Sequence, residues 1–492
     1  MVLSDIIYEN EYTSNYDISK IEFLKISTSY IEADENAVLV LLESAKRHTE
    51  EINSILKSRC PAAIICESDD YFEAKNAPII KVNNARKILA FMYSRYYGIN
   101  YSKFKMIAVT GTNGKTSTAT MIMRILEENG EKVGFVGTGK ILINGSPLTN
   151  SRYSMTTPDP DLLYRAIANM GEVGCTAIVM EVSSHALFFE KVAPIRFNVA
   201  VFTNLSHEHL DFHKDMESYY TTKLKLFSKA EIGIFNIDDP YSKRAYEESE
   251  KEKRGVGIIN KADATGINVT LNGLNGSEYV YRESRGLFKV KLQLGGAYNV
   301  YNSMMALSAA IAIGIPPCVA KKAIQKIERI DGRLERFKDS VTVIIDYAHT
   351  EAAMSNVLKT INSSKKAGQK LITIFGCGGE RDKEKRPLMA RAAEILSDSV
   401  IVTCDNSRSE NEADIINDIL LGFEKTESRR VITSRKEAIE HAILEAENGD
   451  IIAILGKGHE KYNISKSGYT DFDEAEIVRD ALRKRNALRG DG

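Results

Sequence analysis

The chain has 492 residues, 43% hydrophobic and 27% charged, with a formal net charge of -2 spread without long single-sign runs. That length exceeds one core and implies roughly three domains, while the charge balance argues against a polyanionic partner such as nucleic acid. No apolar stretch is long enough to span a membrane, and the N-terminus MVLSDIIYENEY is acidic rather than signal-like, so a cytoplasmic monomer acting on small molecules is expected. In chain order, the apolar runs AVLVLL, AAIICE, FKMIAVTG, AIVMEVS, VAVFTNL, EIGIFNIDD, VTVIIDYAH, KLITIFGCGG, SVIVTCD and DIIAILGKGH alternate with helical patterns. Such alternation predicts an α/β fold with mostly parallel sheets and helices on both faces. Nearly every run ends in glycine or a polar side chain, at the edge where α/β sheets bind ligands. Boundaries are expected near KVNNARKILAFMY and near Arg329–Arg333, dividing the chain into 1–88, 89–330 and 331–492. The six cysteines are scattered with no C-x-x-C pair, which disfavours a zinc site and a disulfide framework.

MIAVTGTNGKTSTATMIMRIL reads as strand, glycine-rich turn and helix. The strict pattern G-x-x-x-x-G-K-[ST] fails because Val109 stands where its first glycine belongs, but the mechanics survive. Gly111, Thr112, Asn113 and Gly114 can curl backbone N–H groups around phosphate oxygens, Lys115 can reach the terminal phosphates, and Thr116 can ligate Mg²⁺, with Ser117 following in the helix. The next strand delivers Glu181, Ser183, Ser184 and His185; the one after it places Asn204, His207, Glu208, His209, Asp211 and His213 together. Three of the eight histidines fall in that short segment, which packing explains poorly. Glu181 suits Mg²⁺ on nucleotide phosphates; zinc on H-x-H-x-x-x-H is the competing reading.

With TGTNGKT, MEVSSHAL and TNLSHEHLDFH in order, the chain resembles the Mur ligases, ATP-dependent enzymes that add amino acids to the peptidoglycan precursor. Further matches are TTPD at Thr156–Asp159, YYTTKLKLF around Lys223, GGAYNVYN, DGR, DYAHT, GCGGERDKEKRP and GKGHE. The resemblance implies a small N-terminal α/β domain for the muramoyl substrate, a central P-loop-type ATPase domain, and a C-terminal Rossmann-like domain for the amino acid. It implies that ATP converts a carboxylate to an acyl phosphate, which an amine then attacks. Lys115, Thr116, Glu181 and His209 match positions that stabilise the transferring phosphoryl group with Mg²⁺, and Lys223 matches a lysine carried as a metal-binding carbamate. Asn299 and Asn302 match adenine contacts; Arg333 and Asp346 match contacts to ribose and phosphates. Ser29, Thr156, Thr157 and Ser184 match positions holding the UDP-muramoyl-dipeptide.

In the branch of the family that uses meso-diaminopimelate, D-N-P-R places an arginine on the distal carboxylate. Here the stretch is Asp405-Asn406-Ser407-Arg408, and a guanidinium there would pair with a carboxylate and repel the ammonium of lysine. Gly456 and Glu460 match positions at the same end of the amino acid, and Arg381 matches a partner arginine. Ser407 replaces the proline. The first domain departs further: where the family has D-S-R, this chain reads Thr28-Ser29-Tyr30, and the later glycine-containing segment is ESAKRH. Other readings are a relative ligating an amino acid to a different carboxylate, L-lysine as the added residue, folylpolyglutamate synthesis, and a nucleotide-binding scaffold.

Overall fold

The computed structural model describes residues 1–74, 76–148, 155–284, 286–425, 427 and 429–490. Each apolar run singled out above forms a strand. The chain divides into two compact units: Met1–Ala108, Glu131–Asn198 and Ser228–Ala230 form the first; Val109–Gly130, Val199–Phe227 and Glu231–Gly492 form the second.

The first unit carries a five-stranded sheet in the order Tyr12–Thr13, Ile79–Val82, Ala63–Cys66, Ala37–Val40, Lys25–Ser27. Its pairs are parallel except the first. Ala37–Val40 and Ala63–Cys66 are wholly buried, and Leu39, Ile64 and Cys66 pack with Ile52 and Leu56 of helix Thr49–Leu56. The same unit holds Val133–Gly137 parallel to Ala177–Glu181, with Lys140–Ile143 turning back antiparallel on Val133–Gly137.

In the second unit, helices Lys115–Glu128, Ala297–Ala312 and Pro317–Lys326 pack on one another. Strand Glu252–Gly257 runs parallel to Ala230–Asn236 and Ala264–Leu271, after which Ser277–Glu283 and Gly286–Leu292 continue antiparallel. A second sheet follows the order Glu335–Lys338, Thr342–Asp346, Ile451–Leu455, Leu371–Phe375, Ser399–Val402, Arg429–Val431, parallel but for its first pair. Its strands are continuous apolar runs because both faces are covered. Alternation sends Ile344 to the core with Leu358, Phe375 and Met389, and Val343 and Ile345 to the core with Ile439, Ile452 and Ile454. Parallel pairing therefore brings the carboxyl ends Asp346, Gly376, Thr403 and Gly456 to one edge, with Asp405 two residues beyond Thr403. Among the described residues no helix is long and apolar enough to cross a membrane.

Candidate active site

The strand ending at Thr110 opens into the glycine turn. Gly111 and Gly114 have φ of 144° and 83°, and a Cβ on Gly111 would collide with Thr203 while one on Gly114 would meet Asn302 Oδ1 at 2.5 Å. Only glycine meets both demands, conformation and space. The turn is tied to the segment after the next strand: Thr112 N donates to Asn204 O (2.9 Å), Asn113 N to Asn204 Oδ1 (3.0 Å), and Thr203 Oγ1 to Asn113 O (2.6 Å). Helix Lys115–Glu128 starts directly after Gly114, so its first N–H groups point into the turn. Lys115 Nζ donates to Gly111 O (3.0 Å) and Thr112 O (2.8 Å), which holds its ammonium over the loop.

Lys223, from helix Met216–Ser228, reaches the same turn, donating to Gly111 O at 3.0 Å with only 1% exposure. Burial, and next the Lys115 charge, drive its pKa well below the usual lysine value. The three histidines of the preceding segment diverge. His207 Nδ1 lies 3.4 Å from Asp382, His209 Nε2 lies 3.8 Å from Glu208, and the His213 ring stacks on Tyr219 at 4.8 Å. Among the described residues no group of three or more His, Cys, Asp or Glu is arranged to hold a metal ion. Burial would raise the Glu208 carboxyl, but His209 and His349 hold it well below the ordinary range; His349 Nε2 is 2.8 Å away and Lys385 Nζ 4.0 Å.

Beside the turn lies a cavity of about 280 Å³ that takes in Ser117, Asn302, Arg333 and Asp346. Asn299 stands behind Asn302, with its Oδ1 accepting from Asn302 Nδ2 (3.2 Å) and its Nδ2 donating to Gly295 O (2.8 Å). Arg333 Nη2 donates to Thr116 Oγ1 at 3.1 Å, and its guanidinium sits 4.6 Å over the Tyr347 ring. Asp346 anchors that arginine's loop by accepting from Leu334 N (2.7 Å) and Ala348 N (2.8 Å); its burial raises its pKa. Asn236, Asp239, Tyr298, Tyr301 and Asn356 also line the cavity. The first four lie within the segments EIGIFNIDD and GGAYNVYN, though none was named there as a site residue, while helix Glu351–Asn362 carried no motif to mark Asn356.

The amino-acid motifs meet at the edge of the second sheet. Arg408 Nη1 donates to Gly379 O (2.7 Å) and Asn406 O (3.3 Å), while its N–H bonds Ile464 O (3.0 Å). Its φ of 54° is left-handed, and Ser407, where the resembled motif has proline, is buried with its hydroxyl donating to Glu412 (3.3 Å). Burial, then the neighbouring Arg381 charge, lower the Arg408 pKa. Glu460 accepts from Asn406 Nδ2 (2.8 Å) and Tyr347 OH (3.3 Å); burial, then the Asp405 charge, raise its carboxyl. Gly456 N donates to Asp346 O (3.1 Å), so this end and the nucleotide end share a strand edge.

The remaining predicted residues belong to the first unit. Glu181 is fully buried and accepts from Thr138 N (3.1 Å) and Thr138 Oγ1 (3.2 Å). Thr138 Oγ1 also lies within hydrogen-bond distance of Thr156 Oγ1 (3.2 Å), and Thr157 Oγ1 donates to Glu181 O (2.9 Å). Ser184 opens helix Ser184–Phe188, capped by the Ser183 hydroxyl. Ser29 lines a cavity of about 560 Å³ with Ser27, Thr28, Arg86, Asp161 and Lys191. There the Arg86 guanidinium lies 4.3 Å over Phe189 and Lys191 pairs with Asp159 at 2.8 Å. Tyr30 points its hydroxyl at Glu51.

A glycine turn opening a helix, a cavity beside it and a cluster of charged side chains at the carboxyl edge of a parallel sheet are the features of an α/β ligand-binding protein. The chain belongs to the Mur ligase family: a model described as Mur ligase middle domain matches residues 109–310, and one described as Mur ligase, glutamate ligase domain matches 332–458. It is similar to UDP-N-acetylmuramoyl-L-alanyl-D-glutamate--2,6-diaminopimelate ligase of Clostridium tetani, 39% identical over 83% of this chain and 84% of the relative. The enzyme of that name from Clostridium perfringens is 36% identical over 98% of this chain and 99% of its own length. A solved structure titled with the same activity superposes with a TM-score of 0.67 at 26% identity, covering 99% of each chain. The MurF ligase of Thermotoga maritima in complex with ADP shares the fold at a TM-score of 0.62 and 18% identity, covering 96% of this chain and 99% of its own.

Proposed function

We propose that this protein is an ATP-dependent ligase that adds meso-2,6-diaminopimelate to UDP-N-acetylmuramoyl-L-alanyl-D-glutamate. The observation that carries this reading is the sheet edge where Arg408 and Arg381 both flank Gly378 and Asn406 holds the carboxylate of Glu460. The distal end of diaminopimelate bears a carboxylate and an ammonium on one carbon. A pair of guanidinium groups suits the carboxylate and a glutamate suits the ammonium. Lysine would bring an ammonium alone and leave the arginines without an anion.

The chemistry follows from what each group can do. A carboxylate resists attack by an amine until one oxygen becomes a leaving group. Transfer of the γ-phosphoryl of ATP to the D-glutamyl carboxylate gives an acyl phosphate and ADP. Attack by the diaminopimelate amine forms the C–N bond through a tetrahedral intermediate; phosphate departs and the amine loses a proton. The turn N–H groups, Lys115 and Arg333 stabilise charge on the moving phosphoryl group, with Asp346 fixing the Arg333 loop.

Mg²⁺ is assigned to the phosphate turn, where the Thr116 hydroxyl is a hard oxygen donor suited to it and His209 and Lys223 belong to the same unit; Glu181, in the first unit, carries the carboxylate that the resemblance adds. When bound it neutralises phosphate charge. Lys223 joins that set as a carbamate: burial disfavours its ammonium, and the neutral amine is the form that adds CO₂ and releases a proton. The nucleotide sugar is assigned to the cavity at Ser29, where Arg86 and Lys191 supply positive charge in the absence of the D-S-R arginine.

The test is phosphate release by purified protein with ATP, Mg²⁺ and UDP-muramoyl-dipeptide, comparing diaminopimelate, L-lysine and no amino acid. Turnover with diaminopimelate alone is expected. Lysine outperforming it would overturn the assignment of the pocket.

A further inference from the structure

A lysine is the second residue of the GKGHE segment, and neither the motif reading nor the chemistry above uses it. Lys457 follows strand Ile451–Leu455 and is completely buried. A buried ammonium is expensive unless its protons are taken up by acceptors. Lys457 Nζ donates to Asn406 Oδ1 at 2.8 Å and to Asp405 Oδ1 at 3.3 Å, and lies 4.0 Å from Glu460 Oε2.

The bonds of Asn406 give this arrangement its consequence. With Oδ1 taken by Lys457 and by Ile464 N (2.9 Å), the amide cannot flip, and its Nδ2 must face Glu460 Oε2 at 2.8 Å. Asn406 is itself buried, so its side chain works inward on the protein. Tyr347 OH holds the other oxygen of the same carboxylate at 3.3 Å. Two carboxylates, Asp405 and Glu460, thus lie in one buried pocket with a lysine between them. Burial alone would raise the Asp405 carboxyl, but Lys457 and Arg435 hold it below its ordinary value.

We propose that Lys457 is a positioning residue for amino-acid selection: its buried ammonium locks Asn406, and Asn406 in turn aims the Glu460 carboxylate at the incoming amino acid. Without that ammonium Asn406 Oδ1 keeps only Ile464 N as a donor, which loosens its hold on the orientation of Glu460. Asp405 and Glu460 then lose the cation between them, with Arg435 left to offset the charge on Asp405, which favours protonation of Glu460 and weakens any ammonium site there. The inference rests on the amino-acid pocket proposed above.

The experiment is a steady-state comparison of wild type, Lys457→Met, Asn406→Ala, Glu460→Gln and the double variant Lys457→Met/Glu460→Gln. Lys457→Met and Asn406→Ala are each expected to raise the KM for diaminopimelate about tenfold or more while that for ATP stays within about twofold. In the double variant the effects should fall well short of additive, because Lys457 acts through Glu460. Equal increases in both KM values, or full additivity, would overturn the proposal and leave Lys457 as a fold residue. Should Lys457→Met fail to fold, Asn406→Ala decides by the same split between substrates. Failure of the underlying assignment looks different: the wild-type protein would itself show no turnover with diaminopimelate.

Discussion

Arg408→Ala isolates the guanidinium at the centre of the amino-acid pocket. In the protein as described, its Nη1 is engaged by the carbonyls of Gly379 and Asn406, which leaves donors available for a ligand. Burial and Arg381 both disfavour the charge on Arg408, so the site holds its cations at a cost that an arriving carboxylate relieves. A charge-assisted hydrogen bond to a carboxylate contributes about 1.5–3 kcal/mol, which corresponds to a KM for diaminopimelate raised by roughly 10- to 150-fold. The nucleotide cavity takes in Arg333 and Asp346 but not Arg408, so the KM for ATP should stay within about twofold. Because the substitution also removes cation–cation repulsion, thermal stability without substrates should fall little despite the two lost backbone bonds. Phosphate release measured against each substrate in turn, with melting of the free protein alongside, checks all three statements. A parallel rise in both KM values, or a large loss of stability with an unchanged KM for diaminopimelate, would refute the reasoning and make Arg408 a loop brace.

Lys115→Ala should lower kcat by at least about a hundredfold with an unchanged far-UV circular dichroism spectrum, and retained turnover would remove the phosphate-loop assignment. Arg86→Ala, in the cavity of the first unit, should raise the KM for UDP-muramoyl-dipeptide and leave that for diaminopimelate alone, as read by initial rates. Arg386 is fully buried and bonded by Glu410 and Asp418, each at 2.8 Å, so Glu410→Gln should cost about 3 kcal/mol of unfolding free energy at pH 7 by urea titration. Glu410 is held down to about 2 from 4.5, mainly by its hydrogen bonds with Arg386. Its contribution is therefore complete above about pH 4.5 and lost as pH falls toward 2, so the gap between wild type and variant should narrow over that window. A gap constant with pH would contradict it.

The parallel strands were legible because burial on both faces leaves uninterrupted runs such as VTVIIDYAH and DIIAILGKGH, and their polar endings marked the ligand edge. The antiparallel strands Ser277–Glu283 and Gly286–Leu292 were not read from the sequence: one-sided burial gives only alternation, which is a weaker pattern over short lengths. Site residues on glycine turns, such as Lys115 and Arg408, announced themselves by local composition. Asn356 did not, since its part in the cavity depends on which distant segments fold together. Lys457 shows a third situation. It lies inside a recognisable motif, yet nothing local tells a buried ammonium that braces an amide from one that meets a ligand; only its bond to Asn406 Oδ1 separates them.

The most direct measurement is a crystal structure of the protein with ADP and diaminopimelate bound. The account predicts the distal carboxylate about 3 Å from the Arg408 guanidinium and the adjacent ammonium at Glu460. A distal end lying in solvent, or held by side chains other than Arg408, Arg381 and Glu460, would contradict it.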